Sequence, residues 1–222
     1  MKPFYTAFIL LLSSTAFSQN DTISSADYYP RWQYSTSMGA NKMTRLPDGI
    51  DEQISTSASV LVNYNLHLAK KKHYLSIGIG YETSRFIADG MFIRNGSDYS
   101  FAVTPTDFKQ NEIQLSYLHF PVLYKFAAFR KSAVSVGPFA GYLVDGKDKF
   151  KFGSSKQETE AHIQNKWRAG VVLDAEFILR SRSKRLAPVL GYGLQYQFTN
   201  HLKDSKSFKP FSAFIRIGFA IE

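Results

Sequence analysis

Five charged residues stand at alternate positions in segments that are otherwise apolar or rich in glycine. Side chains at alternate positions of a strand share one face, and a face that leaves water holds charges only as ion pairs. We therefore predict that Arg216 pairs with one or more of the acids inside the fold, and that the set packs the interior. A polar binding site or a proton path is the alternative role. The set comprises Glu82, Arg168, Asp174, Glu176 and Arg216.

A polar stretch near the C-terminus holds residue types that could do nucleophilic chemistry. His201, Asp204 and Ser205 could form a rim triad in a small barrel enzyme acting on lipid or peptide, although such residues often meet by chance. The five histidines form no HExxH motif, and neither a GxSxG nor a Walker motif occurs. We therefore expect no catalytic, cofactor-binding or metal-binding residues and no enzymatic activity.

The elements that carry these residues are predicted to be β-strands, because apolar residues recur at every second position. In the last segment, Ile215, Ile217 and Phe219 fall on one face, and Arg216 and Gly218 fall on the other. Eight segments share this period, namely residues 31–41, 59–69, 74–82, 113–126, 133–144, 166–179, 189–199 and 209–222.

Short and long connections alternate strictly between these segments. A membrane barrel of the up-and-down type has short periplasmic turns and long extracellular loops. In a soluble β-sandwich, nothing requires short and long connections to alternate. We predict an all-β fold, an eight-stranded antiparallel up-and-down transmembrane β-barrel. A soluble, secreted, lipocalin-like carrier with its apolar faces inside is the alternative. The short connections are 69–73, 128–133 and 180–188, and the long ones are 41–52, 88–107, 145–165 and 200–208.

The N-terminal segment predicts export. Lys2, the apolar run 8–12 and the small residues before Gln19 form a signal peptide. We therefore divide the chain into a signal peptide (1–18) and an outer-membrane β-barrel domain (19–222). The chain has no cysteine, which excludes disulfides and Cys-based metal sites. The formal net charge is +9, but export argues against nucleic acid as a partner.

Eight strands leave an interior just wide enough for side chains, so no open pore is expected. We predict a structural or interaction barrel in the outer membrane, accessory to protein secretion or envelope assembly through its loops or periplasmic turns. Its expected partners are outer-membrane lipid and an envelope or secretion protein, and no cofactor is expected.

Three stretches leave alternatives open. In residues 113–126, the apolar parity would place Gln114 and Ser116 outside, so either the strand rises above the hydrocarbon or a bulge lies near Pro121. Residues 88–107 form either a hairpin that extends the barrel or an adhesive surface. Residues 145–165 are expected to be a charged, mobile loop.

Several segments resemble one known family. The sequence YLHFPVLYKF (residues 117–126) is similar to a YLEIPLLLKY-type segment of PorT-like outer-membrane β-barrel proteins of Gram-negative bacteria. The segments SIGIGYE, VGPFAGYLV and FIRIGFAIE also resemble that family. His119 stands where the family usually has an acid, and the chain ends on Glu222 rather than an aromatic residue. The resemblance implies an outer-membrane barrel, and most members of the family have no assigned activity.

Overall fold

β-Strands form the regular structure of the described residues, and no α-helix occurs among them. The computed structural model describes residues 29–44, 55–68, 72–88, 91–95, 98–102, 108–129, 131–152, 155–160, 165–179, 186–199 and 209–221. Within these ranges, no helix has the length and apolar character needed to cross a membrane. The strands are β1 (Trp32–Thr44), β2 (Ser55–His67), β3 (His73–Ala88), β4 (Met91–Asn95), β5 (Asp98–Ala102), β6 (Phe108–Phe129), β7 (Ser132–Phe152), β8 (Ser155–Glu160), β9 (Trp167–Ile178), β10 (Leu186–Gln197) and β11 (Lys209–Ile221).

Eight of these strands close into a barrel. β1 pairs with β2 and β11, β3 pairs with β2 and β6, and β7 pairs with β6 and β9. β10 completes the ring between β9 and β11, and every pairing is antiparallel. The ladder follows chain order and returns to its start, which confirms the predicted eight-stranded up-and-down barrel. Residues 1–18 lie outside the described residues, so the signal peptide stays a prediction.

The two faces of the barrel wall differ in polarity. Ile215 and Ile217 are 60% and 59% exposed, whereas Arg216 between them is 5% exposed. The same alternation, with apolar residues outside, runs along the other barrel strands. Such a surface suits the hydrocarbon of a bilayer. The lipocalin-like alternative is therefore wrong, because it required the apolar faces to point inward.

The barrel wall is taller on one side than on the other. β6 has 22 residues and β7 has 21, whereas β9 and β10 have 12 each. A strand needs about 9–11 residues to cross the hydrocarbon. On β6, the outward residues are apolar from Leu118 to Phe126, Gln114 lies above them on the same face, and Ser116 between them is buried. The strand therefore rises above the hydrocarbon, and we call residues 83–88, 108–116 and 145–152 together with β8 the extension.

The irregularities in the pairing of β6 with β7 lie away from Pro121. Pro121 pairs with Phe139 in unbroken register, although its ring nitrogen donates no hydrogen bond. The register shifts at three places, between Phe108 and Gln110, between Ser116 and Tyr117, and between Phe126 and Phe129. Between Ser116 and Tyr117, Val144 is the extra residue on β7. The alternative of a bulge near Pro121 is therefore wrong. The shift at Val144 lies at the base of the extension, where β7 leaves β9 and pairs with β8.

Two long connections contain hairpins. Within residues 88–107, β4 and β5 form a two-stranded sheet that is separate from the barrel sheet. Within residues 145–165, where a loop was expected, β7 continues to Phe152 and pairs with β8. Lys149 stands opposite Glu158 in that pairing, and cross-strand pairs of opposite charge stabilise such a ladder.

Candidate functional site

All five predicted charged residues point into the lumen. Glu82 lies on β3, Arg168, Asp174 and Glu176 lie on β9, and Arg216 lies on β11. Each is at most 6% exposed. They divide into two groups along the barrel axis. We call the end with the short connections 69–73, 128–133 and 180–188 the turn end, and the opposite end the loop end.

The turn-end cluster joins Asp174, Glu176 and Arg216 to two further residues, Lys125 and Gln33. Arg216 Nη1 lies 2.6 Å from Asp174 Oδ2 and 3.9 Å from Glu176 Oε2. Lys125 Nζ donates to Glu176 Oε1 at 2.6 Å and to Gln33 Oε1 at 3.2 Å. Gln33 Nε2 donates to Glu176 Oε2 at 2.8 Å. Two acids thus face two bases, as charges removed from water require.

The chain before β1 covers this cluster at the turn end. The Tyr29 ring centroid lies 4.8 Å from Lys125 Nζ, a cation–π arrangement. The backbone of this segment is held in place, because Tyr29 N donates to Tyr74 Oη at 3.3 Å and Asn65 Nδ2 donates to Pro30 O at 2.8 Å. Tyr29 and Pro30 are buried. The turn end of the lumen is therefore closed by the chain itself.

The loop-end cluster is built around Glu82 and Arg168. Arg168 Nη1 donates to Glu82 Oε1 at 2.8 Å, and Ser84 Oγ donates to the same oxygen at 3.1 Å. His119 Nδ1 lies 3.2 Å from Arg168 Nη2 and 3.5 Å from Glu82 Oε2. The Arg168 guanidinium lies 4.0 Å from the centroid of the Tyr117 ring. One ion pair, a histidine and an aromatic face therefore fill this level of the lumen.

A small cavity reaches both clusters. Its volume is about 30 Å³, and Ser37, Ser59, His119 and Arg216 are among its lining residues. Ser37 Oγ and Ser59 Oγ lie 2.7 Å apart. A cavity needs about 10–15 Å³ to hold one water, so this space suits a few waters and no larger ligand.

Glycines in the wall allow the lumen side chains to lie against the backbone. A Cβ on Gly141 would lie 2.5 Å from Arg168 Nε. A Cβ on Gly170 would overlap the Phe139 ring and the carbonyl oxygen of Tyr196. These glycine positions are therefore crowded by lumen side chains and by neighbouring strands.

Three members of these clusters, Lys125, His119 and Gln33, were not among the charged lumen residues predicted from the sequence. The signal was present for Lys125, because it stands between Tyr124 and Phe126, which both point outward. Strict alternation therefore directs Lys125 inward. His119 and Gln33 follow the same rule on their own strands.

The lumen contains Ser, Glu and His side chains, but their order does not suit nucleophilic catalysis. Ser84 Oγ donates to Glu82 and not to a ring nitrogen of His119, whereas an activated serine must face its base. Within the described ranges, no three His, Asp or Glu side chains form a group that could hold a metal. The suggested triad of His201, Asp204 and Ser205 lies outside the described residues.

The extension carries a second set of charges on its outward face. Arg85 Nη2 lies 2.5 Å from Glu112 Oε2, and Lys147 Nζ lies 2.9 Å from Glu158 Oε1. The hydrogen bond to Glu158 raises the pKa of Lys147 and lowers that of Glu158. On the inner face, burial raises the pKa of Asp148 to about 7.

Several solved structures resemble this chain. Neisserial surface protein A has a TM-score of 0.44 and 10% identity, covering 86% of this chain and 96% of that one. The outer-membrane protease OmpT of Escherichia coli has a TM-score of 0.41 and 7% identity, covering 90% and 99%. Ail, the attachment invasion locus protein of Yersinia pestis, has a TM-score of 0.39 and 10% identity, covering 86% and 96%. No curated protein matches the chain in sequence.

The family match covers nearly the whole chain. The model of the outer membrane protein beta-barrel domain matches residues 17–222, which include all eight strands of the closed barrel. A barrel with an apolar outer face and a charged lumen is the architecture expected of that family. The chain therefore belongs to the outer-membrane β-barrel protein family, and its location is the outer membrane of a Gram-negative envelope.

Proposed function

We propose that this protein is a closed outer-membrane barrel of the structural or interaction type. It conducts no solute, and it acts through the segments that project from the membrane. The observation that carries this proposal is the filled lumen. The turn-end cluster, the loop-end cluster and Tyr29 occupy successive levels of the interior, and Lys125, Glu176 and Arg168 are each at most 3% exposed.

The energetics of the lumen support a permanent closure. Breaking a buried ion pair leaves a charge without compensation at a cost of about 3–5 kcal/mol. Opening a path for solute would require separating Arg168 from Glu82 and Lys125 from Glu176. Those contacts are 2.8 Å and 2.6 Å long. Thermal separation of both pairs at once is therefore rare.

Single-channel recording tests the closed lumen directly. The purified, refolded barrel is added to a planar bilayer, with a large porin as the positive control in the same bilayers. We expect no stepwise conductance above the background of the detergent buffer. Reproducible unitary steps from the wild-type protein, at a frequency that rises with protein concentration, would overturn the proposal.

We also propose a PorT-like role, accessory to protein secretion or envelope assembly, with an envelope or secretion protein as the partner. Its support is the extension, which presents charged residues such as Glu158 above the apolar outer face of the barrel. A photo-crosslinking residue placed at Glu158 in living cells should give a defined adduct with one envelope protein. The same residue placed at Val136, which faces lipid, is the matched control. Equal adducts at both sites, or none at Glu158, would contradict this role.

We further propose that the barrel has no enzymatic activity. Its support is the arrangement of Ser84, Glu82 and His119, in which the serine faces the acid. The test concerns the rim residues that the sequence suggested, His201, Asp204 and Ser205. Lipid vesicles and an unstructured peptide are incubated with the wild-type protein and with Ser205→Ala. Hydrolysis by the wild-type protein that is lost in Ser205→Ala would overturn this proposal and favour the barrel-enzyme alternative.

A further inference from the structure

The two ends of the barrel differ sharply in charge. The three short connections at the turn end, 69–73, 128–133 and 180–188, contain nine Lys and Arg residues and no Asp or Glu. The four long connections at the loop end contain nine Lys and Arg residues and eleven Asp and Glu residues. The excess positive charge of the connections therefore lies at one end, which is the periplasmic end because its connections are short.

The described lysines of the short connections, Lys72 and Lys131, have backbone carbonyls that are hydrogen-bonded to neighbouring strands. The carbonyl oxygen of Lys72 accepts a hydrogen bond from Ala127 N at 2.9 Å. The carbonyl oxygen of Lys131 accepts one from Ile178 N at 2.7 Å. Both side chains are exposed. These positive charges are therefore presented from positions that the neighbouring strands hold in place.

Their depth places them beside lipid headgroups. The outward residues just inside the turn end are apolar or aromatic, including Tyr124, Phe126 and Leu179, and all three are exposed to the bilayer. Lys131 follows Phe126 by a few residues, and Lys72 directly precedes His73, which pairs with Phe126. A lysine at that depth extends its ammonium group to the phosphates while its stem stays on apolar surface.

We propose that the turn end binds the anionic phospholipid headgroups of the periplasmic leaflet and surrounds itself with a shell enriched in them. The three connections stand in the chain between β2 and β3, between β6 and β7, and between β9 and β10, so six of the eight barrel strands adjoin a basic connection. Basic residues at an anionic surface attract its lipids over about one Debye length. This inference rests on the outer-membrane location and not on the function proposed above.

The two tryptophans of the chain allow a direct test. Trp32 begins β1 at the turn end, and it pairs with Ile221, which pairs in turn with Leu186, the residue that follows the basic stretch 180–185. Trp167 begins β9 at the loop end. Both are exposed to lipid. Trp167→Phe leaves Trp32 as the reporter of the turn end, and Trp32→Phe leaves Trp167 as the reporter of the loop end.

Each single-tryptophan variant is folded into phosphatidylcholine vesicles that contain the same fraction of brominated phosphatidylglycerol or brominated phosphatidylcholine. Bromine quenches tryptophan on contact, so the ratio of the two quenching values measures local enrichment of anionic lipid. We expect a ratio of at least about two at Trp32 at low salt, falling toward one in 0.5 M salt, and a ratio near one at Trp167.

A neutralised turn identifies the cause. In the Trp167→Phe background, Arg180→Gln, Arg182→Gln, Lys184→Gln and Arg185→Gln together should bring the Trp32 ratio close to one. The matched control removes four lysines from the loop end, Lys147→Gln, Lys149→Gln, Lys151→Gln and Lys156→Gln, and should leave that ratio unchanged. Folding of each variant is checked by its heat-dependent gel mobility. Equal ratios at Trp32 and Trp167, or a Trp32 preference that survives the neutralised turn, would overturn the proposal.

Discussion

Ion pairs occur in two regions of this barrel, the lumen and the extension, and the two regions differ in how far water reaches them. The Lys125 and Glu176 side chains in the lumen are 2% and 0% exposed. The Lys147 and Glu158 side chains on the extension are 46% and 49% exposed. Ion pairs of the same residue types therefore contribute differently to stability in the two regions. In the lumen each charge depends on its partner, whereas on the extension water can replace the partner.

The comparison explains why the barrel tolerates charges inside at all. A charge in the lumen has its partner on a neighbouring or facing strand, so closing the ring brings the partners together. Asp174 and Glu176 from β9 meet Arg216 from β11 and Lys125 from β6. The clusters thus link strands that are not neighbours in sequence, and we expect them to stabilise the closed ring against opening.

The largest effect is expected from breaking one lumen pair. Lys125→Met leaves Glu176 buried without its 2.6 Å partner, and we expect the free energy of unfolding to fall by about 3–5 kcal/mol. Chemical denaturation in detergent micelles, followed by gel mobility of unheated samples, measures it. Lys125→Met with Glu176→Met should recover most of the loss, since Arg216 keeps Asp174. A double variant as unstable as the single one would contradict the pairing argument.

Adding a methyl group to the lumen wall should have the next largest effect. A Cβ on Gly170 would overlap Phe139 and the Tyr196 carbonyl, so Gly170→Ala should cost about 1–3 kcal/mol of unfolding free energy. Gly191→Ala is the matched control, because the nearest atom to its Cβ would lie 3.1 Å away. The same denaturation assay compares them, and equal losses would show that packing at Gly170 is looser than its contacts indicate.

A pH effect is expected on the inner face of the extension. Burial raises the pKa of Asp148 from its ordinary 3.8 to about 7. As pH rises from about 4 to 7, the unfolded carboxyl releases its proton and the folded one retains it, so the stability of the extension falls. Asp148→Asn should remove this dependence. Hydrogen exchange of β7 and β8 amides, corrected for intrinsic rates, measures it, and parallel pH profiles for both proteins would refute it.

The smallest effect is expected from an exposed pair on the extension. Arg85 contacts Glu112 at 2.5 Å, but half of the arginine side chain is exposed. Arg85→Met should therefore change the free energy of unfolding by less than about 1 kcal/mol, and by still less at high salt. A loss as large as that of Lys125→Met in the same assay would remove the distinction between the two regions.

Local sequence patterns predict the barrel wall better than its upper edge. Period-2 alternation predicted which residues of the barrel strands face lipid, since each strand has one dry face and one crowded polar face. The same rule directs Lys125 inward, although the residue was not named. The partners of Lys125 could not be read from one strand, because Glu176 and Gln33 come from strands far away in the sequence.

Above the membrane, period-2 alternation no longer predicts the structure. Charged residues in 145–165 were expected to form a mobile loop, since their composition lacks an apolar face. Instead, β7 pairs with β6 on one side and with β8 on the other, so these charged residues lie in a hydrogen-bonded sheet. The local composition carried no sign of these neighbours.

The sequence by itself determined the strand number, the alternation of short and long connections and the faces of the membrane-spanning strands. These follow from the lengths and polarity that a bilayer imposes on each strand separately. Only the tertiary structure decided which charges meet in the lumen and where the ladder shifts. The extra residue at Val144 reverses the parity of β7, so Asp148 points inward and Lys147 outward. A bulge is defined by the pairing of two strands, so its position cannot be found from the sequence of one strand alone.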